Sequence, residues 1–298
     1  MPVPAAGVIA ALWSPTDPQG RILEAEVKSH LEFLRRAGVH GIMVLGSTGE
    51  FVRLSLEARR HLLELARTDA GLPIIANISD VRPEVVAELG GFARELGCDS
   101  VSILPPWYFP LPQDDMAEFF VRAAEAAGLP VFLYNFPERT GNRIGPETIA
   151  WVCERVPVAG VKQSGAEFAY HQELIELGRR LGFVVFTGGE GRLIEAMGLG
   201  AVGAVSGVAN AAPELVVQAY EAVKRGAIAE AEVMVARLRE LIALLNQVEF
   251  PACIAAAMEA RGLAVGAPKL PRCAASQARY ASLAEALQGC FRSWGLIA

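Results

Sequence analysis

A chain of 298 residues that is 52% hydrophobic and 20% charged carries enough apolar side chain for a large core, which sets it apart from disordered polypeptides. Its formal net charge of -6, with no dense cluster of Lys and Arg, gives nucleic acid or an anionic membrane little to hold, so neither is an expected partner. Met1–Ala6 lacks the charged and apolar regions of a leader, and each apolar run is broken well before spanning length, so the expected location is cytoplasmic.

Short apolar runs return roughly every 25 to 30 residues, each followed by a longer stretch of helical period. Gly7–Leu12 is the first, then Gly41–Leu45, Pro73–Ala76, Ser100–Leu104, Pro130–Tyr134, Val158–Val161, Phe183–Thr187 and Ala201–Ser206. Amphipathic stretches lie between them, at Glu24–Ala37, Leu56–Ala70, Glu84–Leu96, Asp114–Ala127 and Pro146–Val156, with Gly or Pro near their ends. Continuous rather than alternating apolar strands imply a parallel sheet covered on both faces, and eight βα units close naturally into a barrel. A doubly wound sheet is the alternative. Ala229–Asn246, Pro251–Arg261 and Ala274–Gln288 add three helices with no further strand. The expected fold is therefore α/β: a (β/α)8 TIM barrel over residues 1–225, with a three-helix C-terminal extension over 226–298 docked on its outer surface.

The five cysteines form no CxxC pair and suit reduced, buried thiols. None of His30, His40, His61 and His171 is spaced with another ligand type as in a metal-binding helix or loop, so the expected metal content is none and packing or surface roles are the reading.

In such a barrel, chemistry sits where strands end. Lys28 and Lys224 fall within helical periods and Lys269 lies in an Ala-Pro-Lys-Leu-Pro loop; Lys162, directly after Val158-Ala-Gly-Val161, is the lysine that ends an apolar strand. Burying an ammonium there costs desolvation and makes the neutral amine available to attack a carbonyl carbon. The ordinary alternative is a lysine that reaches water or pairs with a carboxylate. Tyr134 closes the preceding strand and would share the same mouth, as a proton carrier or as a half-buried aromatic. Gly46-Ser47-Thr48-Gly49-Glu50 follows the second strand and offers hydroxyls and free amides to an anion, a carboxylate by preference; it lacks the GK[ST] ending of a nucleotide loop.

Gly46 to Glu50, Tyr134-Asn135-x-Pro137, Arg139-Thr140-Gly141 and Gly160-Val161-Lys162, with Ser14-Pro15 near the start, occur in the order and spacing of one family, and the chain resembles the dihydrodipicolinate synthase/N-acetylneuraminate lyase family over essentially its whole length. The resemblance implies that Lys162 condenses with pyruvate or a similar 2-oxo acid and that the imine serves as electron sink for an enamine, with no cofactor beyond this covalent link. It further implies that Tyr134 relays protons beside Ser47 or Thr48, that the loop amides grip the pyruvate carboxylate, and that Tyr108 reaches a neighbouring subunit, so that a homo-oligomer, dimer or tetramer, is expected. Arg139 matches the arginine that holds the carboxylate of an aldehyde such as aspartate semialdehyde; its alternative is a structural ion pair with Glu138 or Glu147.

The chain departs from the synthase pattern in Thr187-Gly188-Gly189-Glu190-Gly191, in Trp107 and in Asn77-Ile-Ser-Asp-Val81, which leaves acceptor specificity open and argues against feedback by lysine. An aldolase acting on 2-oxo-3-deoxy sugar acids, 4-hydroxy-2-oxoglutarate or N-acetylneuraminate is the alternative, with Glu190 either accepting from substrate hydroxyls or solvated in its loop. Val205, with Ser206 and Gly207, is expected only to shape the wall around bound pyruvate. A barrel that binds 2-oxo acids without turnover is the alternative from another class.

Overall fold

A computed structural model describes residues 6–297; of the segment Met1–Ala6, residues 1–5 lie outside the described residues. Eight parallel strands pair in sequence order into a closed barrel: β1 (Gly7–Ala11), β2 (Gly41–Val44), β3 (Ile74–Asn77), β4 (Ser100–Ile103), β5 (Val131–Asn135), β6 (Val158–Gln163), β7 (Val184–Thr187) and β8 (Gly203–Ser206). The helices that intervene are α1 (Glu24–Arg36), α2 (Leu56–Asp69), α3 (Pro83–Glu95), α4 (Gln113–Ala127), the single turn α5 (Pro137–Thr140), α6 (Pro146–Cys153), α7 (Tyr170–Leu181), α8 (Leu193–Leu199) and α9 (Pro213–Lys224). After them come α10 (Ile228–Leu245), α11 (Ala252–Ala260) and α12 (Ala274–Ser293). The barrel with helical extension expected from the apolar periodicity is the fold observed, and the doubly wound alternative is set aside.

The described residues gather into two compact units. One comprises residues 6–9, 40–43 and 72–205. Its strands are buried almost throughout, because a parallel strand is covered by side chains on one face and helices on the other. Its helices start and stop by ordinary means: Pro83 and Pro146 stand at first-turn positions where no amide acceptor is needed, and α4 ends on Gly128 at φ 61°, a backbone a Cβ would strain. Val131 pairs with Val158 but Phe132 pairs with Gly160, a one-residue bulge in β6 that moves the rest of the strand along and sets Lys162 beside Tyr134 and Gln163 beside Asn135. Gly160 permits this because a Cβ there would lie 2.4 Å from the Phe132 ring.

The other unit comprises residues 10–39, 44–71 and 206–297. Ser55 caps α2 through the Ala58 amide at 3.1 Å. Arg261, at the end of α11, donates to the Ala211 carbonyl and to both Glu214 carboxylate oxygens, which ties α11 to the start of α9. Cys98 and Cys253 are buried, but Cys273 is exposed, so the expectation of uniformly buried thiols fails at the loop that precedes α12. Among the described residues no helix is long and apolar enough to cross a membrane.

Candidate active site

Side chains alternate across a strand, so the registered row Tyr134, Lys162 and Phe186 faces one way and the next row, Asn135, Gln163 and Thr187, faces the other. Thr187 meets His171 of α7, its Oγ1 3.1 Å from Nε2, so its row faces the helices and Lys162 faces the interior. Lys162 is the penultimate residue of β6 rather than the first residue after it. It is 5% exposed, its Nζ lies 4.0 Å from the centre of the Tyr134 ring, and among the described residues it makes no ion pair with a carboxylate. The lysine is thus largely buried and, among the described residues, forms no ion pair with an acid.

The aromatic floor continues outward. Tyr134, 2% exposed, stacks on Phe136 with ring centres 6.0 Å apart, and the Arg139 guanidinium lies over Phe136 at 5.8 Å. Arg139 is exposed, and the neighbouring Glu138 accepts from the Ala166 amide at 2.6 Å. The row facing the helices braces this end of the barrel: Asn135 donates to Gln163 Oε1 at 2.7 Å and accepts from the Ile144 amide at 2.9 Å, all of it buried. Arg143 adds a two-pronged bond to Glu167 at 2.7 and 2.9 Å and covers the Tyr170 ring at 3.7 Å, so the loops after β5 and β6 are tied at several points. From the sequence Asn135 entered only within a motif and Gln163 not at all, because a bond between two amides carried by different strands has no spacing to betray it.

Thr187 Oγ1 also accepts from the Gly189 amide at 3.1 Å and so fixes the turn that carries Glu190. Glu190 is 5% exposed, which corrects the reading of a solvated loop carboxylate. Desolvation holds His171 below the usual histidine range, with the Phe168 carbonyl opposing, so the neutral ring is the form that braces β7. Val205, on β8, is buried. Tyr108 is 84% exposed, has φ 86°, and packs edge-on against Phe109 at 4.8 Å; it stands outside the Lys162, Tyr134 and Phe136 stack. Its loop is held by Asn142, which donates to the Pro106 and Phe109 carbonyls.

In the other unit, Gly46–Glu50 forms two successive tight turns in which the Gly49 and Glu50 amides donate to the Gly46 and Ser47 carbonyls at 3.1 Å. These two amides are therefore not free, as the sequence suggested; that of Thr48 has no acceptor among the described residues. Thr48 is buried and packs against Gly207, where a Cβ would come within 2.9 Å of its hydroxyl, while Ser47 is half-buried. Among the described residues no group of three or more His, Cys, Asp or Glu side chains is placed to hold a metal ion.

An eight-stranded parallel barrel whose sixth strand carries a buried lysine against a tyrosine is the architecture of a class I lyase, which works through a lysine imine. The chain belongs to the dihydrodipicolinate synthetase family, whose model matches residues 4–289. It is 33% identical over 269 residues to the 4-hydroxy-tetrahydrodipicolinate synthase of Methanopyrus kandleri, with 89% of each chain covered. Among solved structures it is similar to YagE, a prophage protein of the same family from E. coli K12 in complex with pyruvate, with a TM-score of 0.89, 26% identity and coverage of 96% of this chain and 98% of that one. The 2-keto 3-deoxygluconate aldolase from Picrophilus torridus gives a TM-score of 0.83 and 25% identity, covering 90% of this chain and 98% of that one.

Proposed function

We propose that the protein joins pyruvate, or a similar 2-oxo acid, to an aldehyde, or releases it from the joined product, through an imine on Lys162. The amine adds to the 2-oxo carbon, the carbinolamine loses water, and loss of a proton from C3 gives an enamine whose carbon attacks the aldehyde; hydrolysis of the product imine returns the amine. The observation that supports this most is a lysine 5% exposed, without a carboxylate partner among the described residues, its amine 4.0 Å from the centre of the Tyr134 ring. An isolated buried cation is costly, and fold stability gives no reason to retain one. In this reading Tyr134 moves protons with Ser47, Thr48 and its backbone amide hold the 2-oxo acid carboxylate, Val205 shapes the wall, and Tyr108 completes the relay of a second copy in a homo-oligomer. No further cofactor is required, and the cytoplasm is its proposed location.

The acceptor in the first reading is an acidic aldehyde such as aspartate semialdehyde, held by Arg139. A second reading, cleavage of hydroxylated 2-oxo acids such as 2-oxo-3-deoxy sugar acids, is favoured by one feature: Glu190 is buried on a braced turn, suited to accept from hydroxyls. Borohydride reduction in the presence of pyruvate should add the mass of the reduced adduct to the Lys162 peptide. An unmodified peptide across several 2-oxo acids would leave a binding barrel instead. Relative kcat/KM for the two substrate classes then separates the acceptors, and Arg139→Ala should depress use of the acidic aldehyde while sparing imine formation.

A further inference from the structure

Lys269 has none of the sequence marks of a functional lysine, since it follows no strand and lies between two prolines in the loop leading to α12. The structure places it 4% exposed in its side chain, with Nζ donating to the Ser14 carbonyl at 2.7 Å and to Glu50 Oε1 at 3.2 Å. The same amine lies 4.7 Å from the centre of the Trp13 ring, and Arg53 holds the other oxygen of the Glu50 carboxylate. Glu50 is the last residue of the Gly46–Glu50 turn and has the left-handed backbone, φ 57° and ψ 38°, that a branched-free residue without special support rarely keeps. The preceding Gly49 sits where a Cβ would come within 2.6 Å of Ser14 Oγ and 2.7 Å of the Leu12 carbonyl, so the turn is pressed against the end of β1.

We infer that Lys269 is a positioning residue: reaching in from the C-terminal segment, its amine pins the Glu50 carboxylate and the Ser14 carbonyl together, and so fixes the turn that presents Ser47, Thr48 and the Thr48 amide to the 2-oxo acid carboxylate. The inference rests on the lyase reading given above. The two bonds are far apart in sequence and converge on one atom, whose three donor directions are otherwise satisfied by a ring face. Desolvation moves Lys269 below the usual lysine range, with the Glu50 carboxylate opposing it. Both of its donated bonds bind it to the turn, so Lys269 is a clamp, and the nucleophile's task stays with Lys162, whose amine has no carboxylate partner among the described residues. By this assignment the segment after residue 226 takes part in shaping the turn, because the loop between α11 and α12 carries the clamp.

The test compares full-length wild type, Lys269→Met, Lys269→Arg, Glu50→Gln and the double variant Glu50→Gln with Lys269→Met. Each is titrated with pyruvate under borohydride, reading the trapping rate, the half-saturating pyruvate concentration, the labelled peptide and the thermal midpoint. In Lys269→Met the half-saturating concentration should rise between roughly tenfold and a hundredfold, the cost of a displaced binding group, with the label still on the Lys162 peptide. Lys269→Arg should restore it to within about threefold, which a loss of packing alone would not predict. The double variant should be no worse than the poorer single one, as for two halves of one interaction. Folded Lys269→Met with wild-type half-saturation, or a label on the Lys269 peptide, overturns the inference. If Lys269→Met does not fold, Glu50→Gln decides by the same reading. Failure of wild type itself to trap pyruvate strikes the lyase reading and is seen before any variant is made.

Discussion

Two lysines of this chain are buried, and their surroundings assign them opposite tasks. Lys162 faces a tyrosine ring with no carboxylate partner among the described residues, whereas Lys269 is held by Glu50 and a carbonyl. Position in the sequence alone distinguished Lys162, as the end of an apolar strand, and passed over Lys269, because a loop lysine between prolines has no period to interpret. The Tyr134 ring has two separable contributions, a floor beneath the amine and a hydroxyl. Tyr134→Phe keeps the floor and stack with Phe136 while removing the hydroxyl, so pyruvate trapping should persist while kcat falls about 10²- to 10⁴-fold, the usual range for a lost proton carrier. Steady-state turnover set beside single-turnover trapping measures this, and an unaltered kcat removes Tyr134 from the relay.

The bulge in β6 and the amide bridge behind it decide where the strand-end residues stand. Gly160→Ala drives a methyl into the Phe132 ring and should destabilise the fold by about 1–3 kcal/mol, measured by urea unfolding, with a loss of trapping rate in the folded fraction as Lys162 leaves its register. Asn135→Ala removes the donor to Gln163 and the acceptor of the Ile144 amide, all buried; about 2 kcal/mol of stability should go with them, and amide exchange at Ile144 should quicken. Equal exchange in both proteins would show that the loop after β5 is held by its other ties, Arg143 to Glu167 and Glu138 to Ala166. Neither feature was visible in the sequence, where the motif Tyr134-Asn135-x-Pro137 marked the asparagine but not what it touches.

Folding stability as a function of pH should carry the signature of a buried histidine. His30 is fully enclosed, its Nε2 2.9 Å from Asn210 Oδ1, and desolvation brings its pKa down from 6.5 to about 4 against the opposing hydrogen bond. Its folded pKa lies below the unfolded one, so the unfolded chain binds the extra proton; the stability is complete above pH 6.5 and is lost as pH falls toward 4. By pH 5 the loss should be about 2 kcal/mol, seen as a lower urea midpoint that His30→Gln does not share. A wild-type midpoint that is flat between pH 7.5 and 5 would contradict this placement of His30. Tyr108 and Phe109, 84% and 73% exposed, form an aromatic pair suited to a contact between copies. Tyr108→Ser should shift sedimentation toward smaller species if the proposed homo-oligomer uses this loop.

The alternation of apolar strands with amphipathic helices pointed to a parallel sheet covered on both faces and favoured a barrel over a doubly wound sheet, a choice the closed strand order decided; the strand-end filter then isolated Lys162 and Tyr134, and the family resemblance gave roles to Ser47, Thr48, Tyr108 and Arg139. What periodicity cannot carry is contact between residues distant in the chain. The placement of Lys162 against the Tyr134 ring, the burial of Glu190, the pairing of Asn135 with Gln163 and the capture of Glu50 by Lys269 all depend on register and on loops meeting in space. Only the tertiary structure decided these, because electrostatic and hydrogen-bond energies are set by distances of a few ångströms that no spacing along the sequence encodes.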